Sequence, residues 1–240
     1  MTAKNTEDLN KEIPKEIIKE KKSKVLTILL VISLIIICSV VIYILVGNLR
    51  NKKLEQQSKN ELEGFDREVP TISLTEYEKK EKEKQKNKDK KNTKKEKRTT
   101  GYYSSYDNSF TYHTIGRIRI PKTSISYPIY SSPGEHALET GIGLIYTENG
   151  LNEKGNTVLQ GHNWRNWMFF SRNHLLKKGD NIYIKDERGV ELEYIVYSKK
   201  IYNPEDVSYI QKETKGKKEI ALVTCAVAAT KRLVVCARVK

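Results

Sequence analysis

An unbroken apolar stretch near the N-terminus constrains this chain more than any other feature of its sequence. Val25 to Val46 contains no charged residue and consists largely of Leu, Ile and Val. A helix rises 1.5 Å per residue, so a helix of this length spans about 33 Å, close to the hydrocarbon thickness of a bilayer. The sequence therefore predicts a transmembrane helix over Val25–Val46.

A cleaved signal peptide is the alternative interpretation of the same stretch. Its apolar region covers about 7–15 residues and precedes small residues at the cleavage site. Here the apolar run is longer and leads into Gly47-Asn48-Leu49-Arg50, which offers no such site. An uncleaved signal anchor is therefore favoured, with 1–24 as a cytoplasmic tail. Basic residues flank both ends of the apolar stretch, so the flanking charges give only a weak bias in orientation. The predicted orientation therefore depends on the long downstream part of the chain, which is able to cross the membrane largely regardless of its charge.

The next segment, 47–108, has few apolar residues and is rich in lysine. Such a composition cannot bury enough surface to offset the entropy of ordering the chain. The run from Lys79 to Arg98 contains twelve basic and four acidic residues, a net charge of about +8 within the +14 of the chain. A solvated, flexible linker is predicted for this segment. The alternative interpretation is a basic tether that binds polyanions of the cell wall. No nucleic-acid partner is expected.

The remaining part, 109–240, has the pattern of a folded domain. Short β-branched and aromatic runs alternate with Gly, Pro and Asn, which is typical of many short strands in a barrel of mainly β character. Short helices are expected at His136–Thr140, over Trp167–Leu176 and from Asn203 onward. The candidate strands are Ile115–Ile120, Ile125–Tyr130, Gly143–Tyr146, Asn156–Gln160, Asn181–Lys185, Glu191–Lys199, Glu219–Cys225 and Leu233–Val239.

Two of the three cysteines, Cys225 and Cys236, lie in this domain, so a disulfide is one possibility outside the cell. The short link Ala226–Lys231 favours an antiparallel hairpin in which Cys225 lies beside Arg232. Cys236 is then about 13 Å further along its strand. A disulfide needs Cα atoms within about 7 Å. The spacing therefore predicts a free Cys225 thiol next to an arginine, and a packed core role for Cys236.

A thiol acts as a nucleophile in its thiolate form, which a neighbouring imidazolium or guanidinium favours. Of the four histidines, His162 follows an apolar strand that ends on a glycine, Asn156 to Gly161, where a site can be built. His113 and His136 lie in loop-like or helix-start contexts, and His174 is expected to be partly buried. His162 is the candidate general acid/base.

The same residues resemble the motifs of sortases. Leu222-Val223-Thr224-Cys225, followed by Arg232, is similar to the cysteine–arginine signature of that family, and Asn156 to Asn163 resembles its catalytic-histidine strand. Ile115 to Pro121 and Pro204 to Val207 are softer matches, and Ala221 replaces the usual first Thr of the cysteine motif. The resemblance implies an eight-stranded sortase-type β-barrel. It assigns Cys225 as nucleophile, His162 as general acid/base and Arg232 as electrostatic stabiliser.

This resemblance also implies an activity. A membrane-anchored sortase cleaves an LPxTG-like sorting signal between Thr and Gly through a Cys thioacyl intermediate. It then transfers the acyl group to an amine, here of a peptidoglycan precursor or a pilin. Neither a cofactor nor a metal is expected. An anchoring enzyme of class A, D or E is favoured, because the long insertion of class B and the lid and C-terminal anchor of class C are not evident.

Three alternatives stay open at this point: a pilin-polymerising sortase, an L,D-transpeptidase and a membrane-tethered, non-enzymatic module that binds wall polyanions. An L,D-transpeptidase usually carries Ser-x-Gly-Cys, and Val223-Thr224-Cys225 lacks that glycine. The non-enzymatic alternative is motivated by the Lys79–Arg98 run.

Overall fold

The computed structural model describes residues 15–73, 75–79, 113–164 and 167–240, and the chain forms two compact units, Met1–Lys53 and Leu54–Lys240. The described part of the first unit belongs to the helix α1, Lys15–Glu68. By length and composition, α1 is able to cross a membrane. Its apolar side chains from Val25 to Val46 are exposed, in agreement with the predicted transmembrane segment.

The helix α1 continues beyond the apolar stretch, so 47–68 is helical where the sequence predicts a flexible linker. Glu, Lys and Gln, which are frequent in this part, are strong helix formers. The i,i+4 pair of Glu55 and Lys59, 2.8 Å apart, adds a small stabilisation. Most of the Lys79–Arg98 run lies outside the described residues. The boundaries of the linker and of the 109–240 domain therefore stay predictions.

The second unit contains eight strands that form a closed barrel in the order β1-β2-β3-β4-β7-β8-β6-β5. All eight strands expected from the sequence are confirmed, with ends that differ by a few residues. The strands are β1 Thr114–Ile120, β2 Ile125–Tyr130, β3 Ile142–Thr147, β4 Gly155–Gln160, β5 Asn181–Asp186, β6 Glu191–Tyr202, β7 Lys218–Ala226 and β8 Lys231–Val239.

Two of the strand pairs are parallel, β2 with β3 and β4 with β7. In the second pair Gln160 lies opposite Val223. Neighbouring parallel strands run in the same direction, so their C-terminal ends meet at one edge of a sheet. The residues that follow β4 and those that end β7 therefore lie at the same rim of the barrel.

The alternation of side chains along the strands creates two apolar clusters. The interior core fills the barrel and includes Ile118, Leu159, Ile184, Leu222 and Val235. A second core lies on the other face of β4, β7 and β8, where Tyr209 and Ile210 of the β6–β7 connection cover it; its strand residues include Val158, Ala221, Val223, Val234 and Cys236.

The helix predictions have mixed outcomes. The turn expected at His136–Thr140 is confirmed as α2, Glu135–Thr140. The helix expected over Trp167–Leu176 is wrong, because Trp167 and Phe169 have φ angles of 69° and 49°, which a right-handed helix excludes. Only a 3-10 turn, Asn173–Leu175, forms there.

The helix expected from Asn203 is also wrong, since 203–217 forms turns. The Asn156 side-chain amide donates to the carbonyl oxygens of Tyr209 and Ile210, at 2.9 and 2.7 Å. These contacts hold the connection over the second core, where its own apolar side chains are buried. Tertiary burial therefore outweighs the local helix signal.

The C-terminal end of α1 packs on the barrel within the second unit. Asp66 lies 2.5 Å from the Nζ of Lys185 and 2.7 Å from Nη1 of Arg117. Lys185 on β5 is only 1% exposed, donates to the carbonyl of Val69 at 2.7 Å and lies over the Phe65 ring. A buried ammonium group requires partners of this kind, so the end of α1 is part of the folded domain.

Candidate active site

Cys225 and Arg232 lie directly opposite each other in the antiparallel β7–β8 pair. Cys236 lies opposite Ala221, four positions away from Cys225, and all three cysteines of the chain are free. The hairpin register and the free thiol predicted from the sequence are therefore confirmed. Cys236 is buried in the second core, where burial raises the pKa of its thiol.

The two side chains belong to the outer face of the barrel. Along β7, Cys225 alternates with the same parity as Ala221 and Val223, and Arg232 shares the parity of Val234 on β8. Those residues belong to the second core. Cys225 and Arg232 are both half-buried, so the thiol and the guanidinium lie at the rim that the second core leaves uncovered.

The turn between β7 and β8 has an unusual backbone. Val227, Ala228 and Ala229 have φ angles of 48°, 50° and 70°, a left-handed conformation that costs a non-glycine residue about 1–2 kcal/mol. Nη1 of Arg232 donates to the carbonyl oxygens of Ala229 and Lys231, at 3.0 and 3.2 Å. The guanidinium thus fastens the turn through one nitrogen.

His162 is held at the same rim as Cys225. The Gly161 N–H donates to the Val223 carbonyl at 3.2 Å, and the hydroxyl of the buried Thr224 donates to the Gly161 carbonyl at 2.7 Å. A Cβ on Gly161 would lie 2.9 Å from Phe170, so only glycine fits this close approach. These bonds fasten the start of the His162 loop to the end of β7.

The next residue, Asn163, joins the two chain segments directly. Its side-chain amide donates to the backbone carbonyl of Cys225 at 2.8 Å. The structure therefore brings the three predicted site residues to one rim of the barrel: Cys225 and Arg232 by strand register, and His162 by the parallel β4–β7 pairing.

The His162 imidazole lies against aromatic rings. It stacks on Trp164 with ring centroids 4.5 Å apart and an interplanar angle of 20°, and the edge-on ring of Phe169 is 6.3 Å away. This burial lowers the pKa of His162, while the negative charges of Glu139 and Glu135 act in the opposite direction. Burial dominates and favours the neutral imidazole.

Sequence reasoning missed two members of this arrangement, Asn163 and Trp164. The aromatic run that follows His162 is the signal that points to Trp164; the contact of Asn163 with Cys225 leaves no local signal. His174 is exposed rather than partly buried, with its Nδ1 3.1 Å from the Ser171 carbonyl oxygen. His113 and His136 are exposed as well.

The described part of the second unit contains pockets at both ends of the β4–β7 pair. One of about 270 Å³ adjoins the site and is lined by Asn163, Trp167, Ser171, Arg172 and His174. A larger one, of about 450 Å³, is lined by Tyr146, Glu148 and 211–216, at the opposite end of β4 and β7. Within 15–73, 75–79, 113–164 and 167–240, no group of three His, Cys, Asp or Glu side chains is placed to hold a metal ion.

A thiol, an imidazole and a guanidinium at one rim form a set suited to covalent catalysis. A thiolate supplies the nucleophile, an imidazole transfers protons, and a guanidinium with nearby backbone N–H groups stabilises a developing oxyanion.

The chain is similar to known proteins over about half of its length. A sortase domain model matches residues 118–240. Sortase A of Bacillus anthracis is 39% identical over 112 residues, which cover 46% of this chain and 51% of that protein. Sortase A of Streptococcus agalactiae serotype III (strain NEM316) is 31% identical over 143 residues, 57% of either chain. The matched parts thus span little more than half the length of these relatives.

A solved structure with the same type of fold is the lid mutant of sortase A from Corynebacterium diphtheriae. It is 28% identical to this chain, with a TM-score of 0.50 over 55% of this chain and 73% of that one.

Proposed function

This chain belongs to the sortase family, and from that membership we propose that it is a membrane-anchored cysteine transpeptidase. Its proposed donor is an LPxTG-like sorting signal, cleaved between Thr and Gly, and its proposed acceptor is a cell-wall amine. The observation that supports this most directly is the register that pairs Cys225 with Arg232 at the rim where His162 follows β4.

In the first step, the Cys225 thiolate attacks the carbonyl carbon of the substrate Thr. Arg232 and backbone N–H groups near Cys225 stabilise the oxyanion that forms. As the Thr–Gly bond breaks, the His162 imidazolium gives its proton to the departing glycine amine. The product is a thioester between Cys225 and the sorting signal.

In the second step, an incoming amine attacks the thioester carbonyl carbon. The neutral His162 accepts the proton that the amine loses, a new amide bond forms, and the Cys225 thiolate leaves. The two steps regenerate the starting thiolate and imidazolium and imply ping-pong kinetics.

The protonation state of His162 sets how much of the enzyme is ready for the first step. That step needs an imidazolium beside a thiolate, and burial lowers the pKa of His162. The negative charges of Glu139 and Glu135 favour the imidazolium.

The proposed membrane location is supported by α1. The exposed apolar side chains of Val25–Val46 match the hydrocarbon layer in length. We place 1–24 in the cytoplasm and the barrel outside the cell. An anchoring enzyme of class A, D or E is proposed, and the pilin-polymerising alternative is not favoured.

A mass-spectrometric assay tests this function. The full chain in detergent is incubated with a panel of LPxTG-like peptides and triglycine, and the thioacyl adduct and the transpeptidation product are followed. We expect both with at least one peptide, loss of both in Cys225→Ala, and retention of both in the matched control Cys38→Ala, since Cys38 is exposed on α1. No adduct with any peptide, or unchanged turnover in Cys225→Ala, overturns the proposal.

A further inference from the structure

The pocket of about 270 Å³ beside the site is here called the acceptor pocket; it is lined by Asn163, Trp167, Ser171, Arg172 and His174. We propose that it binds the incoming amine through a carboxylate group that the acceptor carries. The acceptor is then an amino-acid-like amine with a free carboxylate. This inference rests on the proposed function and adds the chemistry of its second substrate.

The position of the acceptor pocket matches the path of the incoming amine. A single imidazole, His162, protonates the leaving amine and deprotonates the incoming one, so the acceptor has to approach on the imidazole side of the thioester. The chain that lines the pocket follows His162 directly in sequence. Asn163 belongs to the pocket and also donates to the Cys225 carbonyl at 2.8 Å, so the pocket begins next to the nucleophile.

The charge of the acceptor pocket selects the ligand. Arg172 is half-buried, none of the five lining residues is acidic, and no carboxylate pairs with Arg172 in the parts of the chain that the structure describes. A bare ammonium ion is repelled by a guanidinium, whereas a carboxylate on the same molecule is attracted and matches its fork of N–H donors. An amine without an acidic group is therefore a poor ligand for this surface.

Two unsatisfied groups in the acceptor pocket point to a hydrogen-bonding ligand. The Oγ of Ser171, which is 7% exposed, and the Nε of Arg172 have no hydrogen-bond partner among the residues that the structure describes. Buried polar groups are nearly always hydrogen bonded. Both groups are hydrogen-bond donors that are shielded from solvent behind the lining of the pocket, so a carboxylate oxygen reaches them once the Ser171 and Arg172 side chains turn towards it.

The side walls and the volume limit the size of the ligand. The indole of Trp167 is 66% exposed, and its ring centroid lies 5.5 Å from Cζ of Arg172, which keeps the guanidinium plane against an aromatic face. The volume is slightly below the range of about 300–1,000 Å³ typical for drug-sized ligands. The pocket therefore suits a single amino-acid unit at the end of a larger acceptor.

Matched acceptors test the inference with the full chain in detergent. Glycylglycine and glycylglycinamide present the same amine, with and without a carboxylate, to the thioester formed from one donor peptide. We expect kcat/KM for glycylglycine to exceed that for glycylglycinamide by about tenfold or more. In Arg172→Gln the two values are expected to converge, mainly through a higher KM for glycylglycine. The control Lys178→Gln removes an exposed charge outside the pocket and keeps the preference.

Each outcome separates the inference from the proposed function. No thioacyl adduct on Cys225 contradicts the proposed function itself. An adduct with equal rates for the two acceptors overturns only the acceptor pocket, as does an equal loss for both acceptors in a folded Arg172→Gln. If Arg172→Gln does not fold, Arg172→Lys decides: it keeps the charge but loses the fork, so a reduced preference is expected, and an undiminished one refutes recognition by Arg172.

Discussion

Replacing Asp66 by alanine is expected to destabilise the barrel, although Asp66 belongs to the helix that carries the membrane anchor. The buried Lys185 ammonium lies 2.5 Å from the Asp66 carboxylate, and Arg117 lies 2.7 Å from it. In the variant Lys185 keeps the Val69 carbonyl and loses its charged partner. Arg117 keeps Glu191 at 2.8 Å, so the cost falls mainly on Lys185.

The contacts of Lys185 set the expected magnitude. Removing one partner of a buried ion pair costs about 3–5 kcal/mol. The Asp66 side chain is 32% exposed, so water screens part of the interaction, and we expect the lower end, about 3 kcal/mol. In a domain of this size, 1 kcal/mol shifts Tm by about 2–4 °C, so Tm is expected to fall by about 6–12 °C.

Tryptophan fluorescence during urea denaturation measures this change in the full chain in detergent. The only two tryptophans of the chain, Trp164 and Trp167, lie near the active site and none lies in α1, so the signal reports the barrel. The matched control is Glu61→Ala, an exposed acid on the same helix, expected to change stability by less than about 0.5 kcal/mol.

A second comparison isolates the buried charge. The double variant Asp66→Ala with Lys185→Met removes both charges at once and is expected to recover most of the lost stability, because a buried ion pair replaced by apolar groups is often close to neutral. Equal stability losses in Asp66→Ala and Glu61→Ala would refute the docking of the α1 end on the barrel.

Three further predictions concern the rim of the barrel. His162→Ala and Arg232→Ala are each expected to lower kcat/KM by about 10²–10⁴, and the double variant to lose little more than the worse single variant, because cooperating groups are not additive; an additive loss in peptide cleavage contradicts a shared mechanism. In Trp164→Ala, water reaches the imidazole and the imidazolium becomes less costly, so the pKa of His162 is expected to rise towards its ordinary value of 6.5. An NMR titration of the ring protons measures this, and an unchanged or lower pKa argues against burial as the cause. Thr224→Val removes the bond to the Gly161 carbonyl, and we expect a loss of about 1–3 kcal/mol in urea denaturation together with a lower kcat; full stability with full activity shows that this bond does not position the His162 loop.

Local patterns made most of the barrel predictable. Period-two alternation and turn residues mark each strand, and every strand found was expected, because both signals depend on neighbours in the sequence. The pairing of Cys225 with Arg232 was predictable for the same reason, since a short link between two strands determines their register. The free state of Cys236 followed from that register.

The failed helix predictions have a tertiary cause. In 203–217 the helix-start residues are outweighed by burial of Tyr209 and Ile210 over the second core, which no local pattern records. The positive φ angle of Phe169 places its ring against His162 and Tyr127. In both segments the position of apolar side chains against distant strands determined the backbone.

The apolar stretch, the strands and the three proposed catalytic side chains were thus predicted from the sequence alone, because each prediction depends on composition, on a local motif or on contacts a few residues apart. The tertiary structure decided which of them meet. The parallel pairing of β4 with β7 joins Thr224 to Gly161, 63 positions away, and a buried charge joins Lys185 to Asp66, 119 positions away. Such contacts close long loops, and closing a loop costs conformational entropy. Burial and hydrogen bonding offset this entropy only when the whole domain is packed.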